Sequence, residues 1–148
     1  MKNSKKIGDI TELETKYAFL KAGYSVLAPY GDCERYDYVV DICGKFIRIQ
    51  SKTSMGKNGG ATFTFSCRST NRKNGGIKHR AYSKDEIDYF ATMFNGKCYL
   101  VPVEECKSDK SLRVLPTKQG QQAGISWAED YEFEKMIEKI EKDMVLVG

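Results

Sequence analysis

Asp37, Gln50 and Lys52 are the residues of this chain whose types and spacing could do chemistry together. They lie in the run Arg35-Tyr36-Asp37-Tyr38-Val39-Val40-Asp41-Ile42-Cys43-Gly44-Lys45-Phe46-Ile47-Arg48-Ile49-Gln50-Ser51-Lys52. Two stretches rich in β-branched and aromatic residues flank a small-residue turn at Cys43-Gly44, a pattern that predicts a β-hairpin. Alternation puts Phe46, Arg48, Gln50 and Lys52 on one face and Ile47, Ile49 and Ser51 on the other. With a two-residue turn, Asp37 stands opposite Gln50 with Cβ atoms ~5 Å apart. Lys52 follows one side-chain repeat further, ~6.5 Å along the same face. Cysteine is not an ideal turn residue where φ must be positive, so a register slipped by one competes. In the expected register a carboxylate, an amide oxygen and an ammonium meet at the open end of the hairpin. Hard oxygens suit Mg²⁺, and an adjacent ammonium can orient or deprotonate a water or stabilise developing negative charge.

The elements around the hairpin follow from periodicity and punctuation. A helix is predicted over Ile10–Ala22, ended by Gly23, with Ile10, Leu13, Tyr17 and Leu20 as its apolar face. Asp9-x-x-Glu12 and Thr11-x-x-Glu14 are competing capping boxes at its start. Tyr24–Ala28 reads as a strand stopped by Pro29, and Asp41 as a turn-proximal residue. A polar loop, Thr53–Gly60, leads to a strand over Ala61–Cys67, and a second basic loop covers Arg68–Lys78. Ser83-x-x-Glu86 opens a predicted helix over Lys84–Phe94 with Ile87, Phe90, Ala91 and Phe94 as its core stripe. Strands follow at Lys97–Val103 and Ser111–Leu115. A last helix spans Ala128–Asp143, with Phe133, Met136, Ile137 and Ile140 packing on the core or on a partner subunit.

Helix, hairpin and chemistry together resemble the PD-(D/E)XK nuclease superfamily. Tyr36-Asp37 matches the first half of its motif, and Gln50-Ser51-Lys52 the second, with Gln in place of an acid. The longer run RYD-x-VVD-x-x-GKF-x-RIQ-x-KTS looks closest to group I intron homing endonucleases and their bacterial relatives, over about Gly8 to Tyr131. The resemblance implies an α/β (α+β) restriction-endonuclease-like core, a central mixed sheet flanked by helices. It implies hydrolysis of phosphodiester bonds in double-stranded DNA with Mg²⁺, for which Mn²⁺ substitutes. Asp37 and the Gln50 oxygen would hold the metal, and Lys52 would act on the water. A glutamate on the first helix completes such sites, and Glu12 matches it, with Asp9 and Glu14 as alternatives and helix capping as its competing role. Cutting two antiparallel strands implies a homo-dimer or homo-tetramer, joined through the last helix or the segment before it. A Holliday-junction or repair nuclease, and a DNA-binding module that has lost catalysis, are the alternatives.

Charge points the same way. The segment from Ile42 to Lys84 holds ten basic residues and no acidic one, whereas the rest of the chain carries 14 basic and 20 acidic residues. Such one-sidedness marks a phosphate-binding surface, with Lys57, Arg68, Arg72, Lys73, Lys78 and Arg80 as the expected DNA contacts. The five cysteines are scattered, form no CxxC pair and do not neighbour the single His79, which argues against a zinc site or a disulfide framework. There is no GxxxxGK[ST] loop and no partner motif for a hydrolase triad. No apolar run approaches the length of a membrane span, and the basic N-terminus precedes no apolar signal core. One cytoplasmic domain over 1–148 is therefore expected.

Overall fold

A computed structural model describes residues 3–73 and 75–147. The chain opens with helix α1, Ser4–Lys21, earlier than the capping boxes suggest. Asn3 starts it by accepting from the Lys5 N–H at 2.9 Å. It closes on Gly23, whose φ of 96° and paired bonds (Gly23 N–H to the Leu20 carbonyl, Tyr24 N–H to the Phe19 carbonyl) form a Schellman stop. Strands β1 (Ser25–Leu27), β2 (Tyr38–Ile42) and β3 (Lys45–Ser51) follow, then β4 (Met55–Lys57) and β5 (Thr62–Ser66). The expected loop over Thr53–Gly60 thus contains a short strand. Next come β6 (Arg68–Lys73), β7 (Gly76–Ala81), β8 (Tyr89–Phe94), β9 (Lys97–Pro102), β10 (Asp109–Arg113) and helix α2 (Phe133–Val147).

The central sheet runs β1-β2-β3-β8-β9, with β3 and β8 parallel and the other pairs antiparallel. This is the mixed sheet of an α+β fold. Smaller sheets are β10-β5-β4 and the two-stranded ribbon β6-β7. Buried side chains fall in two clusters that share β8 and β9. Ala91, Cys98 and Leu100 pack with Phe19 of α1 and Phe133, Met136, Ile137 and Ile140 of α2. Phe90, Tyr99 and Val101 face the other way, onto Phe63, Phe65 and Leu112. The last-helix stripe therefore covers this chain's own core and is not available as a contact between copies.

This double burial explains one correction. The predicted helix over Lys84–Phe94 is instead a single turn followed by β8. The Ser83-Glu86 box does close, Ser83 N–H donating to Glu86 Oε1 at 3.2 Å. The chain then extends, because a central strand buried on both faces is a continuous apolar run whose spacing mimics a helical stripe. Asn95-Gly96, both at positive φ, is the tight turn that joins β8 to β9. A second correction is the loop expected over Arg68–Lys78, which is the β6-β7 ribbon paired from Arg68↔Ala81 to Lys73↔Gly76. A third is α1 itself. Thr11, Thr15 and Phe19 are its buried residues, while Ile10, Leu13, Tyr17 and Leu20 are each more than half exposed. Among the described residues no helix is long and apolar enough to cross a membrane. Cys67, Cys98 and Cys106 are buried thiols; Cys33 and Cys43 are exposed.

Candidate active site

The hairpin has the expected register: Tyr38 pairs with Ile49 and Ile42 with Lys45. Cys43 and Gly44, at φ 54° and 87°, form its turn, and the Asp41 carboxylate accepts from the Gly44 N–H at 2.8 Å. Asp41 is thus a turn residue at the far end from the site.

At the open end the ladder changes. The Asp37 N–H donates to the Ile49 carbonyl at 2.8 Å, a bond that regular pairing would give to Tyr38. Asp37 therefore does not simply face the Gln50 side chain. Its Oδ2 instead accepts from the Ser51 N–H at 2.8 Å. Burial pushes the Asp37 carboxyl up to about 6; the Ser51 bond lowers it, Glu12 raises it, and Lys52 and Lys16 lower it. Of the three acids considered on α1, Glu12 is the one whose charge bears on Asp37. Asp9 and Glu14 are exposed, whereas Glu12 is half-buried and pairs with Lys16 at 2.9 Å. The capping role is absent, since Asn3 caps the helix and Glu12 sits in its interior. Thr15 fixes α1 against the hairpin by accepting from the Tyr38 hydroxyl at 2.8 Å.

Lys52 continues the parallel pairing of β3 with β8, its N–H donating to the Ala91 carbonyl at 2.9 Å. Its ammonium donates to the Arg68 carbonyl at 2.9 Å and lies 5.2 Å from the centre of the Tyr82 ring. Burial lowers its pKa, opposed by the Asp37 charge. Gln50 turns its amide NH₂ to the Ser51 carbonyl at 3.3 Å, so its oxygen is the branch directed away from that group.

One residue that sequence reasoning missed ties this site to the ribbon. Arg35 donates to Ser69 Oγ at 2.6 Å and to the Ala81 carbonyl at 2.8 Å, and its guanidinium lies 4.0 Å from the centre of the Tyr82 ring. It also pairs with Glu86 at 3.1 Å. The available signal was Arg35 itself, two residues before Asp37 on a chain that must pass the site. Lys16, one turn after Glu12, was likewise legible as an i,i+4 partner.

The ribbon carries Arg68, Lys78 and Arg80 of the expected DNA contacts. The backbones of Arg72 and Lys73 continue it, and their side chains lie outside the described residues. Arg80 is partly neutralised by Glu86 at 2.8 Å. Lys57 is exposed on β4, in a different sheet.

The donor set fits Mg²⁺. Asp37, Glu12 and the Gln50 oxygen are hard ligands, and two carboxylates suffice for an ion that keeps waters and takes substrate oxygens. A cation here would relieve the burial and the Glu12 repulsion that raise the Asp37 pKa. Among the described residues no three His, Cys, Asp or Glu side chains cluster as metal ligands.

Comparison with known proteins agrees with this architecture. A bacterial homing endonuclease, I-Ssp6803I, has a solved structure that matches with a TM-score of 0.75, covering 95% of this chain and 97% of that one at 22% identity, a likeness of fold. No curated protein matches the chain significantly. The family model described as PD-(D/E)XK endonuclease matches residues 2–134, most of the sequence, and the chain belongs to that family.

Proposed function

We propose that this protein is a magnesium-dependent endonuclease that cuts both strands of duplex DNA in the manner of a homing endonuclease. Residues 1–148 act as one domain, in the cytoplasm. Two or four copies work together, because one site faces one phosphate and the strands run antiparallel. The observation that carries the reading is the half-buried Asp37 carboxylate, held by the Ser51 N–H at the end of β3 and acted on by the charges of Glu12 and Lys52.

Asp37, Glu12 and the Gln50 oxygen would hold the Mg²⁺, for which Mn²⁺ would substitute. When bound, the ion neutralises the phosphate and makes water a better nucleophile. Ser51 fixes the Asp37 carboxylate through its N–H. Lys52, steadied by the Arg68 carbonyl, orients or deprotonates the attacking water or stabilises the charge that builds on the phosphate. Burial lowers its pKa, which makes the ammonium a readier proton donor than an exposed lysine. Lys57, Arg68, Arg72, Lys73, Lys78 and Arg80 bind phosphates and set the duplex in place.

Gln50 in an acid's position favours a second reading, a DNA-binding module without catalysis. A randomised duplex library incubated with Mg²⁺ or with EDTA separates the two. The nuclease yields cut molecules sharing a sequence only with Mg²⁺, and the binding module retains duplexes uncut in both. Four-way junctions cut in preference to duplexes would shift the reading to a junction or repair nuclease.

A further inference from the structure

The outer face of α1 is the feature this function leaves unused. Ile10 is 57% exposed, Leu13 67%, Tyr17 60% and Leu20 55%. Their spacing of three, four and three residues sets them in one stripe, ~15 Å long at 1.5 Å per residue. It lies opposite the face that packs inward through Thr11, Thr15 and Phe19. A helix with polar threonines inside and large apolar groups outside is the reverse of a surface helix in a monomer. Beside the stripe lies a groove of about 520 Å³, lined among others by Tyr17, Ala18 and Lys21 of α1 and by Met93, Gly96 and Phe133.

We propose that this stripe and groove are the surface through which two copies of the chain join, α1 against α1. The inference rests on the reading that two copies cut the two strands. The four side chains expose roughly 500 Å², the size of patches that are often functional. That is over half of the ~800 Å² each partner gives to a standard interface, and the groove walls supply more. An isologous contact about a two-fold axis lets the same patch serve both copies, the helices running antiparallel. Because α1 also carries Glu12 on its inner flank, this contact links the two sites rigidly.

The test is the double variant Leu13→Glu/Tyr17→Ser of the full chain, with Ile10→Gln/Leu20→Gln as a second, milder pair. Both change exposed positions, so circular dichroism should show wild-type helix content and melting within a few degrees. Sedimentation equilibrium should give an oligomer for the wild type and a halved mass for each variant. On cleavable plasmid the variants should still nick, with linear product at least tenfold lower. Folded variants that keep the wild-type mass would reject the surface and leave the two-copy reading intact. A wild type monomeric both free and on uncut duplex would reject the two-copy reading and the surface with it. In that case, loss of DNA affinity in the variants would reassign the face to DNA.

Discussion

The β2-β3 hairpin and the β6-β7 ribbon are both antiparallel pairs, and they treat charge in opposite ways. In the first, alternate residues of β2 are fully buried, and α1 and β8 close over its open end. Its functional groups are held by backbone: Asp37 by the Ser51 N–H, Lys52 by the Arg68 carbonyl. In the second, every residue of β7 is exposed, and Lys78 and Arg80 project into solvent. Chemistry needs groups fixed and partly dried, where each charge acts strongly. Phosphate recognition needs reach and many screened contacts. The two meet at one seam, where Arg35 bonds Ser69 and Ala81 and lies on the Tyr82 ring, and where Arg68, the first ribbon residue, steadies Lys52.

Substitutions should separate the two regions sharply. Lys52→Ala should cost at least ~100-fold in single-turnover cleavage with little loss of DNA affinity. Lys78→Ala should do the reverse, keeping the cleavage rate at saturation while the log–log salt slope of binding falls by ~1. Arg80→Ala should lower that slope less, because Glu86 already balances its charge. Fluorescence titrations over a range of salt, paired with quenched-flow cleavage, would expose any mixing of the two behaviours.

Within the site, Gln50 is the departure from the family motif. Gln50→Leu should weaken Mg²⁺ binding about tenfold, ~1.4 kcal/mol, because it removes an oxygen at similar size. Gln50→Glu should bind Mg²⁺ at least as tightly as the wild type. Calorimetric titration with DNA bound under non-cleaving conditions reads both, and equal affinities across the three proteins would remove Gln50 from the ligand set.

Smaller effects concern stability. Asp37 has a folded pKa raised above its unfolded value of ~3.9. Its protonated form therefore contributes stability that is complete below about pH 4 and lost as pH rises through about 6. In EDTA, Asp37→Asn should raise Tm by about 3 °C near pH 7, and by nothing below about pH 4. Asn keeps the oxygen that accepts from Ser51, so the change isolates the charge. Smaller still is the turn. Cys43 holds φ 54° where Asn95, in the equivalent turn between β8 and β9, holds φ 48°. Cys43→Asn should stabilise by ~0.5 kcal/mol, since Asn tolerates the left-handed region better. Thermal melts of the variants against the parent check both.

The hairpin was legible because its alternation and its turn agree on a single register, and a slip would expose Ile47 and Ile49. The Asp37–Ser51 bond was not, because it arises where the ladder breaks, and alternation cannot say where a ladder ends. Periodicity found Ile10, Leu13, Tyr17 and Leu20 as one face of α1, but spacing defines a face without saying what covers it, and this one is exposed. The segment Tyr89–Phe94 misled through its double burial, although Asn95-Gly96 carried the hairpin signal that outweighs a short helical pattern. The ribbon left little trace, because polar residues on both faces give no alternation to read.

The central claim, that the end of the hairpin is where DNA is cut, rests most directly on Asp37. Its decisive measurement is single-turnover cleavage of a selected duplex by Asp37→Asn in Mg²⁺, at enzyme concentrations that saturate the DNA. The account predicts a rate at least ~100-fold below the parent, with DNA affinity retained and the fold intact. A folded Asp37→Asn protein cutting at close to the parent rate would contradict it.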